Sequence, residues 1–155
     1  MSDPGPAKAD VLAAARAQWA ITEAAPARLA PHFARPTELD WNVGDVLRHV
    51  AMGVANAPSM VAAVVELGRL REDPTAHNDE GVAARADWTP EQIHNALRTG
   101  HEALLRVVEQ LPDDLFDRRI GAFGNAWFGD LLIGLTAGHE RNHVAQALRG
   151  AGLEP

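Results

Sequence analysis

The sequence predicts an all-α fold, a four-helix bundle in a single domain over residues 1–155, and three observations carry that prediction. Alanine, leucine and valine dominate, while alternating runs of β-branched residues are absent. Apolar residues recur at three- and four-residue steps in four separate stretches. Two of those stretches open on strong capping sequences, Asn42-Val-Gly-Asp45 and Thr89-Pro-Glu-Gln92. A domain of this length buries roughly two-thirds of the surface its unfolded chain exposes, so it needs no covalent staples.

The first helix is expected over Ala7 to Ala25, where Val11, Leu12, Ala15, Trp19 and Thr22 share a face. Pro26 kinks or ends it, and the chain through Pro31 and Pro36 is a connection. Asn42 caps the second helix, Asp45 suits its first turn, and Trp41 staples onto Val46. Its stripe runs through Val46, Val50, Gly53, Ala57, Met60, Val61, Val64 and Leu67 to about Arg71, with a kink expected at Pro58. Arg71 to Trp88 shows no period and is predicted as a connection, longer than most in a compact domain. Thr89 caps the third helix, Pro90 takes its first position, and Trp88 staples onto Ile93. Ile93, Leu97, His101, Leu104 and Val108 form its stripe, and Pro112 ends it. The fourth helix is predicted over Trp127 to Arg149, with Gly150 as a left-handed stop and Gly134 and Gly138 allowing close approach of another backbone. Trp41, Trp88 and Trp127 each stand just before a helix, a staple role that requires no ligand.

Composition excludes several functions. With no cysteine there is no disulfide, no thiolate metal site and no protein-borne sulfur nucleophile. A net charge of −7 and no cluster of Lys and Arg argue against nucleic acid as a partner. The N-terminus lacks the basic and apolar regions of an export signal, and no apolar run is read as a membrane span, so a cytoplasmic protein is expected.

The chemistry concentrates in Gly138-His-Glu-Arg-Asn-His143. Imidazoles four residues apart on a helix share a face, about 5–6 Å apart at their β-carbons, which lets both reach one divalent cation. Two polar residues on a solvated face have the same spacing. The motif also fits the H-E-x-x-H pattern of zinc peptidases, with Glu140 as the base. Those enzymes draw a third ligand from downstream, however, and only Val144 to Pro155 remain, without a histidine. The third ligand must come from upstream, and His49, on or beside the apolar stripe of the second helix, is the candidate. His49 lies about two turns into its helix, and His139 and His143 two to three turns before the end of theirs. The three share a level only if those helices are antiparallel, so one connection must cross the length of the bundle. The stretch from Arg71 to Trp88 is long enough.

Trp41-Asn-Val-Gly-Asp-Val-Leu-Arg-His49, followed about ninety residues later by His139-x-x-x-His143-x-x-Gln146, resembles the DinB-like superfamily, which includes mycothiol-dependent maleylpyruvate isomerases and related thiol transferases. The resemblance implies an up-down-down-up bundle with a long crossover between helices 2 and 3. It implies a divalent metal, zinc or nickel, held by His49, His139 and His143, and homodimers. It further implies transfer or isomerisation with a low-molecular-weight thiol or, in some members, hydrolysis of a small-molecule substrate. Some relatives carry a carboxylate where this chain has His139.

Three neutral imidazoles leave a metal its full charge and an open position, the ligand set of a catalytic site. Without cysteine, any sulfur nucleophile is a cosubstrate. Glu140 and Gln146 are the candidate catalytic residues. Glu140 sits about 100° around the helix from His139, which suits orienting a neighbour better than acting as base, and Gln146 shares the row of the two histidines. His101 is expected as a satisfied core histidine that could line a pocket. His32, His77 and His94 have no evident partner, and Arg71-Glu-Asp and Pro112-Asp-Asp read as solvated loop charge. The rival readings are a non-enzymatic metal or small-ligand binder, a metal-dependent hydrolase and a helical dimer without metal.

Overall fold

A computed structural model describes residues 4–155. Four rods form the bundle: α1 (Lys8–Leu29), α2 (Val43–Leu67), α4 (Pro90–Gln110) and a composite last rod made of α5 (Phe128–Ile133) and α6 (His139–Gly150), joined by a π-turn at Gly134–Gly138. A short α3 (Asn78–Ala83) and a two-stranded hairpin, β1 (Arg119–Ile120) with β2 (Ala126–Trp127), lie in the connections.

Two core clusters show how the rods are directed. One joins Ala25 and Leu29 of α1 to the Val43–Val54 part of α2, Ile93 and Leu97 of α4, and Val144 and Leu148 of α6. The other joins Val11, Ala15 and Trp19 of α1 to Ala57, Val61 and Val64 of α2, Leu104 and Val108 of α4, and Phe128 and Leu132 of α5. Ends shared in this way place α1 and the last rod in one sense and α2 and α4 in the other. Thus α2 runs antiparallel to α6, the arrangement three convergent histidines require.

The caps form as their residues dictate. The Asn42 side chain accepts from Asp45 N at 2.8 Å and Thr89 accepts from Gln92 N at 3.2 Å, each answered by the return bond of a capping box. Arg48, buried, ties the first turn of α2 to Asp45 and to the Trp88 carbonyl ahead of α4.

Several boundaries differ from the sequence reading, each for a physical reason. Helix α1 continues through Pro26 to Leu29, because Pro26 removes one backbone donor while Ala25 and Leu29 are buried in the core. Helix α2 passes through Pro58 without interruption and stops at Gly68 rather than Arg71, since Gly68 adopts φ +67° and its N–H caps the Val64 carbonyl. The last rod ends at Gly150, and the left-handed residue is Gly152, two positions later. Gly134 and Gly138 admit no second backbone; their role is local, within the π-turn.

Helix α2 is, by length and composition alone, apolar enough to cross a membrane, which the sequence reading did not find. Its apolar residues pack on α1, α4 and α6, as befits the most central rod. The connection between α2 and α4 is also more ordered than expected. Its α3 docks on α2, with Gly81 so close to Met52 that a Cβ at Gly81 would stand 2.1 Å from the Met52 sulfur, and Trp41 Nε1 donates to Asp79 at 3.1 Å.

Candidate metal centre

The last rod brings His139 and His143 against His49 of α2. A π-turn holds one residue more than an α-turn, so it resets the phase of the helix that follows. Here it immediately precedes His139, whose N–H reaches back to the Gly134 carbonyl. Buried side chains take up carbonyls in and beside this turn: Thr136 Oγ1 donates to Leu132 O at 2.7 Å, and Trp19 Nε1 donates to Thr136 O at 3.1 Å.

One nitrogen from each of His49, His139 and His143 lies within 4.8 Å of the other two. His49 Nε2 and His139 Nε2 are 3.3 Å apart. Tetrahedral ligands at 2.0–2.1 Å from zinc stand roughly 3.3 Å apart, so this edge already has the spacing of a coordinated pair. The rings meet edge to face, with centroids 4.6–5.2 Å apart. Gly53 makes the space: a Cβ there would come within 3.2 Å of His139 Cε1. Trp41 covers His49, centroids 4.8 Å apart, so it is part of the site as well as a staple.

Burial, then the proximity of His143, holds His139 down to about 4; burial, then His143 and His139, does the same for His49. Both rings are therefore neutral at pH 7, the protonation state in which an imidazole can ligate a cation. In the unfolded chain the same groups titrate near 6.5. Between these values the unfolded state binds more protons, so the stability of the metal-free protein is complete above pH 6.5 and declines as the pH falls towards about 4. Acid melts of chelator-treated protein should show Tm dropping across this window, and a level Tm there would contradict the burial of neutral imidazoles.

Gln146 acts on the site through His143. It is buried, and its Oε1 accepts from His143 Nδ1 at 2.9 Å, which leaves the Nε2 lone pair to face the cluster. Its amide in turn reaches Thr37 Oγ1 at 3.4 Å. Removal of such an outer partner typically weakens metal binding 10–100-fold. Gln146→Ala should fall in that range by competitive titration against a chromophoric chelator, with Gln146→Glu recovering most of the loss.

Glu140 faces elsewhere. Only 2% exposed, it places Oε1 3.0 Å from His101 Nε2, while His101 Nδ1 meets Glu23 Oε1 at 2.7 Å. His101 is stacked on Trp19 with centroids 4.7 Å apart, the buried core histidine expected, and it does not line the cavity described below. The carboxylate–imidazole–carboxylate chain across α1, α4 and α6 was not evident from sequence. Its one signal was Glu23 at the edge of a buried stripe. His94 likewise has a partner, the Glu23 carbonyl at 2.8 Å.

The three metal-candidate histidines open into a cavity of about 800 Å³. One wall is α2 from His49 to Ala63; the other is the crossover, including Leu70, Arg71, Glu72, Asp73 and His77. The connection whose length had no local explanation is thus a wall of the site. Its charged residues, read from sequence as solvated loop, stand at the cavity, as does His77. Neither Glu140 nor Gln146 lines it.

The family model described as the mycothiol maleylpyruvate isomerase N-terminal domain matches residues 8–132, a span that includes His49 and ends before His139 and His143. No curated protein and no solved structure matches the chain significantly. The match covers most of the bundle: the chain belongs to the mycothiol maleylpyruvate isomerase N-terminal domain family, one of the DinB-like families.

Proposed function

We propose that this protein is a metal-dependent enzyme that transfers or adds a low-molecular-weight thiol to an electrophilic small molecule. The observation that carries the reading is the convergence of three imidazole nitrogens from two antiparallel helices at a cavity, in a chain of a family described by mycothiol and maleylpyruvate. His49, His139 and His143 fit a divalent cation, zinc or nickel, because two of them are held neutral and Gln146 orients the third. When bound, such a cation lowers the pKa of a thiol towards neutrality.

The protein's own residues supply the setting. With no cysteine in the chain, the sulfur comes from the cosubstrate. Trp41 shields His49 from solvent, and the crossover wall limits access to the histidines. Gln146 and Glu140 are positioning residues: Gln146 sets the His143 tautomer, and Glu140, bonded to His101, anchors the first turn of α6 next to His139. Glu140 is therefore turned away from the role of a peptidase base, which removes support from the zinc-peptidase reading. A homodimer belongs to the proposal on the strength of the family alone.

The test combines elemental analysis of purified protein with a thiol-consumption screen against electrophiles. One equivalent of metal per chain and thiol loss that stops on chelation are expected. Full turnover in metal-stripped protein would refute the mechanism, and metal uptake without any thiol consumption would leave a binding protein.

A further inference from the structure

The cavity extends along α2 well beyond the histidines. Its α2 wall uses residues at three- and four-residue steps from His49 through Met52 and Met60 to Ala63. At 1.5 Å per residue, that stripe extends about 21 Å along the helix. On α2 the wall beyond the histidines is mainly apolar, with Met52, Ala57, Met60 and Ala63, and Leu70 of the crossover lines it too, packing against the same core cluster as Val61 and Val64. Asn56 and Ser59 are exposed and form its outer edge.

The charges on the walls decide what such a trough accepts. Arg71 is the one lysine or arginine among the wall residues, and its guanidinium is 2.6 Å from Glu66. Glu72 and Asp73 follow it directly and bring two negative charges to the same wall. A carboxylate seated in the distal part would meet Arg71 already paired with Glu66 and two like charges, with His77, beside Glu80, the other basic residue of the crossover wall, whereas an apolar body would leave water for methionine, alanine and leucine side chains.

We infer that the electrophile taken by this site is uncharged and elongated, with its reacting end at the histidines and an apolar body along α2 towards Met60 and Ala63. This departs from the carboxylate substrate in the family's description. It rests on the functional reading above for the reacting end, whereas the trough is walled by α2 and the crossover.

The experiment uses the full chain after chelation, loaded with the neutral fluorophore N-phenyl-1-naphthylamine, and follows its displacement by 1-alkanols from butanol to decanol and by the alkanoates of equal length. Affinity should rise roughly fourfold per added methylene, the value of one buried CH₂, and each alkanoate should bind at least about tenfold more weakly than its alcohol, as expected for an unpaired charge facing like charges. Ala63→Phe and Leu70→Phe should each shorten the chain length at which the gain stops. Ala63 is fully buried, so Leu70→Phe, in a half-buried loop position, decides the matter if Ala63→Phe does not fold. Equal binding of alkanoates and alcohols, no dependence on chain length, or a length limit unmoved by Leu70→Phe would each overturn the inference. Metal content, measured separately, reports on the enzyme reading and leaves this one untouched.

Discussion

His143→Ala is expected to abolish stoichiometric binding of a divalent cation, and His49→Ala to do the same from the other helix. Each removes one of three nitrogens that lie within 4.8 Å of one another. The remaining pair cannot close the coordination shell, and loss of affinity should greatly exceed the 10–100-fold that follows loss of an outer partner. The two variants differ informatively. His143→Ala leaves His49 and His139 adjacent at 3.3 Å on different helices, while His49→Ala leaves the two histidines of α6 on one helix face. Equal loss in both would show that the site spans α2 and α6 and is not a helical pair alone. A second readout is thermal: a ligand at 100 times its Kd raises stability by about 2.7 kcal/mol, so zinc should raise the Tm of the parent protein and leave both variants unmoved. Retention of one equivalent of metal by His49→Ala would remove the basis of the proposed centre.

His101→Leu is expected to produce the largest stability loss of any single polar substitution in the bundle. The imidazole is 3% exposed and meets a carboxylate at each nitrogen, Glu23 at 2.7 Å and Glu140 at 3.0 Å. Without it, Glu140 keeps a buried carboxylate whose Oε2 has no partner among the described residues and whose Oε1 loses its own. Breaking a buried pair on one side costs about 3–5 kcal/mol, because the remaining charge is uncompensated. Urea unfolding should show that loss. The double variant His101→Leu/Glu140→Leu should recover part of it, since the one carboxylate then left without its partner, Glu23, is partly exposed to solvent. Simple additivity would mean that the two residues are not coupled. Because Glu140 directly follows His139, His101→Leu should also weaken metal binding, while Glu140→Gln, which can still hydrogen-bond, should weaken it less.

Much of the candidate site was legible because helices impose a period. His139 and His143 share a face by spacing alone, and His49 could be matched to them by counting turns. Capping at Asn42 and Thr89 was equally local, a matter of side chains three residues apart. The π-turn before His139 was not legible, since it depends on Thr136 and Trp19 finding partners across the bundle. Nor was the Glu23–His101–Glu140 chain, whose members are 78 and 39 residues apart in sequence. The cavity did leave a trace in the composition of α2, which is apolar on the core face and again along the stripe from Met52 to Ala63. A helix apolar on two faces has two apolar surroundings, and here the second is a cavity.

By itself the sequence determined the helical class, the rods and their starting caps, and the three imidazoles available to a cation, because each of these follows from short-range periodicity and local hydrogen bonding. Only the tertiary structure decided where Glu140 points, that the crossover walls the cavity, and that Pro26 is tolerated within a helix. Those outcomes are set by burial and pairing between segments distant in the chain, where packing outweighs local preference.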